Sequence, residues 1–311
     1  MSAPAMPTCR LEKLNPMNKC LVGEFFGSFF LAFFLHVSVA LITVVPGVGN
    51  IWIICLLLAM IIAFLCYLNM GISGAYFNPA ITVAYGLFFL LPKKRILPYL
   101  ATQYSAWFIG SMACQFYLND LIAAYEKMHN IVRGTVESAA TGSIFYCITP
   151  PLGNAAAAGW TPEIMSNMMG VSAEVGATFI VALGICFCVD PRNPHMPPKW
   201  LQPLIIGMVV GFAVFIFAPI SSGAINPARD FSPRVVAWLR GYGEAAFPGN
   251  PSGLGGAWWI YQVGPYLGAI LGTLTYTKIM GGCFARVEPA PEKQDNQALP
   301  ANTQIPAEVT C

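Results

Sequence analysis

The triplet Asn-Pro-Ala occurs twice, as Asn78-Pro79-Ala80 and Asn226-Pro227-Ala228, each time beside strongly apolar stretches. An Asn side chain caps a helix start, and Pro suits the first helical position, where no N–H is needed. Both triplets therefore open short helices at membrane depth, where irregular backbone is tolerated only against protein or a water-filled cavity. Arg229 follows the second triplet directly, while Ile81 fills that slot after the first. A charge there costs at least ~2.5–3.5 kcal/mol on insertion scales, so an intramembrane Arg reads as functional. Its five fixed donors and permanent charge suit hydrogen bonding to hydroxyls or water and repel cations. Each half-helix N-terminus carries partial positive charge. Asn78 and Asn226 spend their side-chain oxygens on capping, and their amide NH2 groups are expected to donate into a lumen. A water accepting from both would point its hydrogens in opposite directions along the pore, which interrupts proton transfer.

Three further acids complete the candidate set. Asp230 turns about 100° away from Arg229 on a helix, so it is expected to hold backbone or widen the opening rather than face the pore. Glu24 and Glu174 lie within apolar stretches. An isolated buried carboxylate is costly, so each is expected to accept hydrogen bonds from the broken loop of its half and brace it. His36 and Asn69 are expected to be satisfied core groups.

Elements must hold these residues in place, and the composition says what kind. Hydrophobic residues make up 56% of 311 and charged residues 10%, against about 25% charge in soluble chains. The chain reads as an all-α integral membrane protein, and its 29 glycines and 25 prolines fit helices that pack closely and break on purpose. Six stretches reach the ~20 apolar residues of a span, at 21–45, 51–70, 96–118, 170–189, 201–218 and 258–280. Segments 79–90 and 227–239 are too short to cross and read as half-helices. A cleaved leader is not expected, because no apolar core precedes Leu21. Arg10, Lys13, Lys19, Lys93, Lys94, Arg95, Arg192, Lys199, Arg286 and Lys293 fall on one side of these spans. Lys127, Arg133 and Arg240 fall on the other, so the positive-inside rule predicts both termini in the cytoplasm.

The chain also repeats itself. Glu24-Phe25-Phe26-Gly27-Ser28-Phe29 parallels Glu174-Val175-Gly176-Ala177-Thr178-Phe179, and the Glu-to-Asn spacing is 54 residues in one half and 52 in the other. Three spans per half force the second half upside down, so the two broken loops enter from opposite faces and meet near the midplane. The expected organisation is a cytoplasmic segment 1–20, a channel domain 21–282 and a disordered cytoplasmic tail 283–311. Within the channel domain, repeats at about 21–118 and 170–282 are joined by an extracellular loop, 119–169. The tail ends in Val309-Thr310-Cys311, read as solvated. Ten cysteines, five of them in apolar runs, and three histidines give neither a disulfide framework nor a metal site. A net charge of +2 without an aromatic-interleaved basic stretch argues against nucleic acid.

The two loops, Ser73-Gly74-Ala75-Tyr76-Phe77-Asn78-Pro79-Ala80 and Ser222-Gly223-Ala224-Ile225-Asn226-Pro227-Ala228-Arg229, together with a Glu in spans one and four, resemble the aquaporin (major intrinsic protein) family from Leu21 to Gly282. Asp230 after the Arg, the 189–193 loop (Val-Asp-Pro-Arg-Asn) and the insertions at 119–169 and 241–257 resemble its aquaglyceroporin branch. The resemblance implies six transmembrane helices plus two half-helices, a homotetramer in the plasma membrane with one pore per subunit, and passive conduction of glycerol and water. It implies no cofactor and no catalysis. It places the selectivity filter at Leu58, Val214, Gly223 and Arg229, with Asp230 and Tyr76 shaping the solute class. Leu58 and Gly223 depart from the aromatics of that branch, Val214 from the His of water-selective members, Tyr76 from a common His, and Tyr261-Gln262 from a Pro-containing pair. The resulting opening is apolar and roomy, and urea joins glycerol and water as an expected permeant.

Three alternatives stand beside this reading. An ion-coupled secondary transporter of small polyols would also use inverted repeats and broken helices, with Glu24, Glu174 and Asp230 as coupling acids. A mainly water-conducting aquaporin is the second. An intramembrane enzyme would need Asp120 or Asp190, neither of which lies inside a span.

Overall fold

The computed structural model describes residues 14–88, 90–151, 158–160, 164–248 and 257–283. Its principal helices are α1 (Pro16–Val44), α2 (Ile51–Asn69), α3 (Pro79–Leu87), α4 (Ile96–Met128), α5 (Asn167–Val189), α6 (Gln202–Ser221), α7 (Pro227–Ala237) and α8 (Ile260–Leu274), the last continuing through wider turns at Thr275–Met280. The expected tail, with Arg286 and Lys293, and the expected leading charges Arg10 and Lys13 lie outside the described residues. Among the described residues, α1, α2, α5 and α6 are each long and apolar enough to cross a membrane. The other two expected spans are met by α4, with 33 residues, and by α8 with its extension.

Local signals set the helix starts. Asn15 accepts from Asn18 N with Pro16 at the first position, so α1 begins ahead of the expected residue 21. Asn50 caps α2, and Ser166 caps α5. The connection expected as a loop over 119–169 is ordered differently. Leu118 and Ile122 extend the buried face of α4 to Met128, and they pack with Ile144, Phe145, Tyr146 and Tyr242 in a second apolar cluster. Buried Glu126 ties this region together, accepting from Arg133 Nε at 3.0 Å, Thr141 Oγ1 at 2.8 Å and Tyr242 OH at 2.9 Å.

Helices pair as α1 with α4, α5 with α8, and α2 with α6. Glycines make these approaches possible. A Cβ on Gly110 of α4 would lie 2.5 Å from the Phe29 carbonyl oxygen and 2.8 Å from Ala32 Cβ of α1. A Cβ on Gly272 of α8 would lie 2.5 Å from the Phe179 oxygen and 3.0 Å from Ala182 Cβ of α5. Phe29 and Ala32 stand five and eight residues after Glu24, and Phe179 and Ala182 stand five and eight after Glu174. The repeat read in sequence is thus reproduced in the atomic contacts. The half-helices cross over: α3 packs on α8 of the second half, and α7 on α4 of the first. At the other end of α5, Asp190 accepts from the Arg192 backbone N–H at 2.9 Å and its guanidinium at 2.8 Å, a hydrogen bond that holds the Asp190 carboxyl below the usual aspartate range.

Candidate functional site: a cavity between two half-helices

Each half-helix is started by its Asn. Asn78 Oδ1 accepts from Ala80 N at 2.9 Å, and Asn226 Oδ1 accepts from Ala228 N at 3.0 Å and Arg229 N at 3.3 Å. Pro79 and Pro227 occupy the first helical turns, and Ala80 and Ala228 are fully buried. The amides behave differently from expectation. Asn78 Nδ2 donates to the Ile225 carbonyl at 2.8 Å, and Asn226 Nδ2 donates to the Phe77 carbonyl at 2.9 Å. One hydrogen of each NH2 is thus spent across the repeat, locking one loop to the other, and one remains. Both Asn residues line one cavity, with about 70 Å³ of room for the centres of water-sized molecules.

The loops ahead of the triplets are stretched over the two carboxylates. Glu24 accepts from Ser73 Oγ (2.8 Å), Tyr76 N (2.9 Å), Phe77 N (2.9 Å) and Gln103 Nε2 (2.8 Å). Glu174 accepts from Ser221 Oγ (2.7 Å), Ala224 N (2.9 Å) and Ile225 N (2.7 Å). Because a peptide is planar and trans, amides turned toward a carboxylate turn the preceding carbonyls of Ala75, Tyr76, Gly223 and Ala224 the other way. All four of these residues line the cavity. Ala75, Phe77 and Ile225 adopt φ of 55°, 52° and 49°, a left-handed backbone that such residues rarely take and that the carboxylate bonds must hold.

The remaining walls are apolar. Leu31 and Leu35 of α1 and Val181 and Ile185 of α5 line the cavity. These residues went unnamed in the sequence, yet they stand seven and eleven residues after their respective Glu, on one helical face. That offset was the available signal. Leu58, Gly223 and Arg229 also line the cavity, as do Tyr76 and Ile81. Val214 does not: it is buried behind Gly223, where a Cβ at φ 63° would meet Val214 Cγ1 at 3.1 Å. The small glycine lets the loop backbone lie against the valine.

Arg229 is nearly buried, and its Nη1 donates to the Phe145 carbonyl at 3.1 Å. Asp230 is fully buried and turned from the cavity, accepting from Cys147 N at 2.9 Å and Arg234 Nε at 2.6 Å. Phe145 was not singled out in sequence, since only the folding back of residues 145–149 brings it to Arg229; Arg234 was not either, although its place four residues after Asp230 on one helix was an available signal. Asn69 is satisfied by the Leu65 carbonyl at 2.9 Å. His36 is fully buried, with its Nδ1 3.3 Å from Ser111 Oγ. Among the described residues there is no group of His, Cys, Asp and Glu arranged to hold a metal.

Two inverted three-helix repeats, exchanging half-helices around one lined cavity, define a membrane-embedded pore fold. The family model for the major intrinsic protein matches residues 11–276, and the chain belongs to that family, on its aquaglyceroporin branch. It is 31% identical over 274 residues to the glycerol uptake facilitator protein of Escherichia coli (strain K12), covering 87% of this chain and 91% of the relative. It is 33% identical over 261 residues to the propanediol uptake facilitator PduF of Citrobacter freundii, covering 84% and 91%. The solved aquaglyceroporin from Plasmodium falciparum shares the fold, with a TM-score of 0.70 at 19% identity, over 85% of this chain and 97% of that one.

Proposed function

We propose that this protein is a passive channel for glycerol and similar small uncharged solutes, with water and urea as further permeants. The observation that carries the reading is the pair of capping asparagines, bonded across the repeat and lining one cavity whose other walls are mostly apolar, with Arg229 among them. Backbone carbonyls and the remaining amide hydrogens offer hydrogen bonds to hydroxyl groups, and the leucine, isoleucine and valine walls suit the carbon chain. The names of the relatives, facilitators of glycerol and propanediol uptake, fit a small-polyol permeant. Leu58, Gly223 and Arg229 form the selective end of the pore, with Tyr76 and Asp230 shaping it. Converging half-helix N-termini and the Arg229 charge exclude cations and protons. The working unit is a homotetramer in the plasma membrane, surrounded by lipid, with both termini cytoplasmic.

The reading needs neither a cofactor nor a reaction. Asp120 accepts from Asn119, and Asp190 is paired with Arg192. Glu24 and Glu174 are occupied by loop amides, which favours bracing over ion coupling. Stopped-flow swelling of vesicles holding the purified full-length chain tests the proposal. Glycerol flux should rise linearly with the gradient and ignore imposed proton or sodium gradients. Saturating flux, or uphill glycerol movement driven by either ion, would replace the channel with a carrier.

A further inference from the structure

Arg234 is a buried cation outside the pore, and its partners bear on the pore. It is fully buried and donates to three acceptors: Asp230 Oδ2 at 2.6 Å, the Ala246 carbonyl at 2.6 Å and the Cys147 carbonyl. Its guanidinium lies 4.8 Å from the Tyr146 ring centroid and 5.1 Å from that of Tyr261. Asp230 meanwhile accepts from the Cys147 N–H. The i,i+4 pair on α7 therefore grips both backbone groups of Cys147, the N–H through the carboxylate and the carbonyl through the guanidinium.

Two residues earlier in the same segment is Phe145, whose carbonyl receives Arg229 Nη1. The segment is stitched again farther on. Ile148 N donates to Ser222 Oγ at 3.2 Å, Ser222 Oγ donates back to the Ile148 carbonyl at 2.7 Å, and Thr149 Oγ1 lies 2.6 Å from Tyr261 OH. Ser222 directly precedes Gly223, so the segment that holds Arg229 is fastened to the same loop that lines the cavity. We infer that Arg234 is a positioning residue for selectivity: with Asp230 it fixes residues 145–147, and through the Phe145 carbonyl it fixes where the Arg229 guanidinium stands. A charge this deep in a membrane protein is costly. Three acceptors in three directions, one for each guanidinium nitrogen, suit the planar fork of Arg and not the compact ammonium of Lys.

This inference rests on the reading of the cavity as a selective pore, and its test separates the two. Removing Arg234 alone would leave Asp230 buried and unpaired, whereas replacing both partners by neutral groups of similar size is better tolerated. The test variants are therefore the double Asp230→Asn, Arg234→Met and the charge-preserving Arg234→Lys, with Arg229→Ala as reference. Each is purified as the full chain, checked for dispersity and melting temperature, and assayed in vesicles for water, urea, glycerol and a four-carbon polyol, alongside a proton-leak dye. With Arg229 freed from its carbonyl, the glycerol-to-water ratio should move by about tenfold, the scale of one charge-assisted hydrogen bond. It should move in the direction set by Arg229→Ala, with Arg234→Lys intermediate. If Arg229→Ala shifts the ratio and the folded Arg234 variants stay at the parent value, Arg234 is only structural and the inference is overturned. If Arg229→Ala itself leaves the ratio unmoved, the reading of the pore falls instead. Should the double variant not fold, Arg234→Lys carries the same decision.

Discussion

Leu58, Gly223 and Arg229 all line the cavity, and their backbones decide which can be probed cleanly. Gly223 has φ 63° with Val214 immediately behind it, so any side chain there adds strain of about 1–3 kcal/mol before it touches a solute. Leu58 lies within the regular helix α2 and tolerates a larger residue without backbone cost. Leu58→Phe should therefore lower glycerol permeability by about tenfold, a barrier rise of ~1.4 kcal/mol, and lower water permeability less. Paired stopped-flow measurements decide it, and an equal loss of both in a normally folded variant would remove Leu58 from the selective end. The parts of this site visible in sequence are those set locally: an Asn-Pro start makes its own cap, and a lone buried Glu must find donors. The amide bonds from Asn78 to Ile225 and from Asn226 to Phe77 were not visible, because they span 147 and 149 residues and depend on how the halves dock. Counting along α6 likewise gives the face of Val214 but not the path of the loop that lies against it at Gly223.

Helix contacts carry the repeat at the next scale. Gly110 and Gly272 each face a backbone carbonyl oxygen that an added Cβ would approach to 2.5 Å, and backbone on both sides leaves little room to yield. Gly110→Ala and Gly272→Ala should each destabilise the protein by about 1–3 kcal/mol, the usual effect of overpacking a close contact. Because their surroundings are copies of one another, the two losses should match within experimental error, as read by thermal melting in detergent. A large loss at one position and none at the other would show that the halves are not equivalent where they cross. The repeat itself was legible from the matched Glu-to-Asn spacing, 54 residues in one half and 52 in the other. The extension of α4 to Met128 was not, because its last turns are stabilised by Glu126 and by residues 141–146, which composition alone reads as loop.

At the scale of the whole molecule, the two halves together make a charge pattern that neither makes alone. Half-helices α3 and α7 arrive from opposite sides, so their positive N-termini converge on the asparagines. The field at that point is the sum over both repeats, whereas the caps themselves belong to each half separately. Asn78→Asp separates these contributions. Asp caps a helix as well as Asn does, so α3 keeps its start at Ala80. The carboxylate cannot donate to the Ile225 carbonyl, and it brings a negative charge to the place where two positive ends meet. The cross-half bond becomes a repulsion between two acceptors, and the barrier to cations falls. Vesicles carrying Asn78→Asp should leak protons measurably faster than the parent under a valinomycin-clamped potential, while the protein still inserts and elutes as a single species. Asn226→Asp should do the same, with a smaller leak, because the Arg229 guanidinium follows three residues behind it on α7 and offsets part of the added charge. A proton leak unchanged in both variants would mean that exclusion is set elsewhere in the pore, with Arg229 the first place to look.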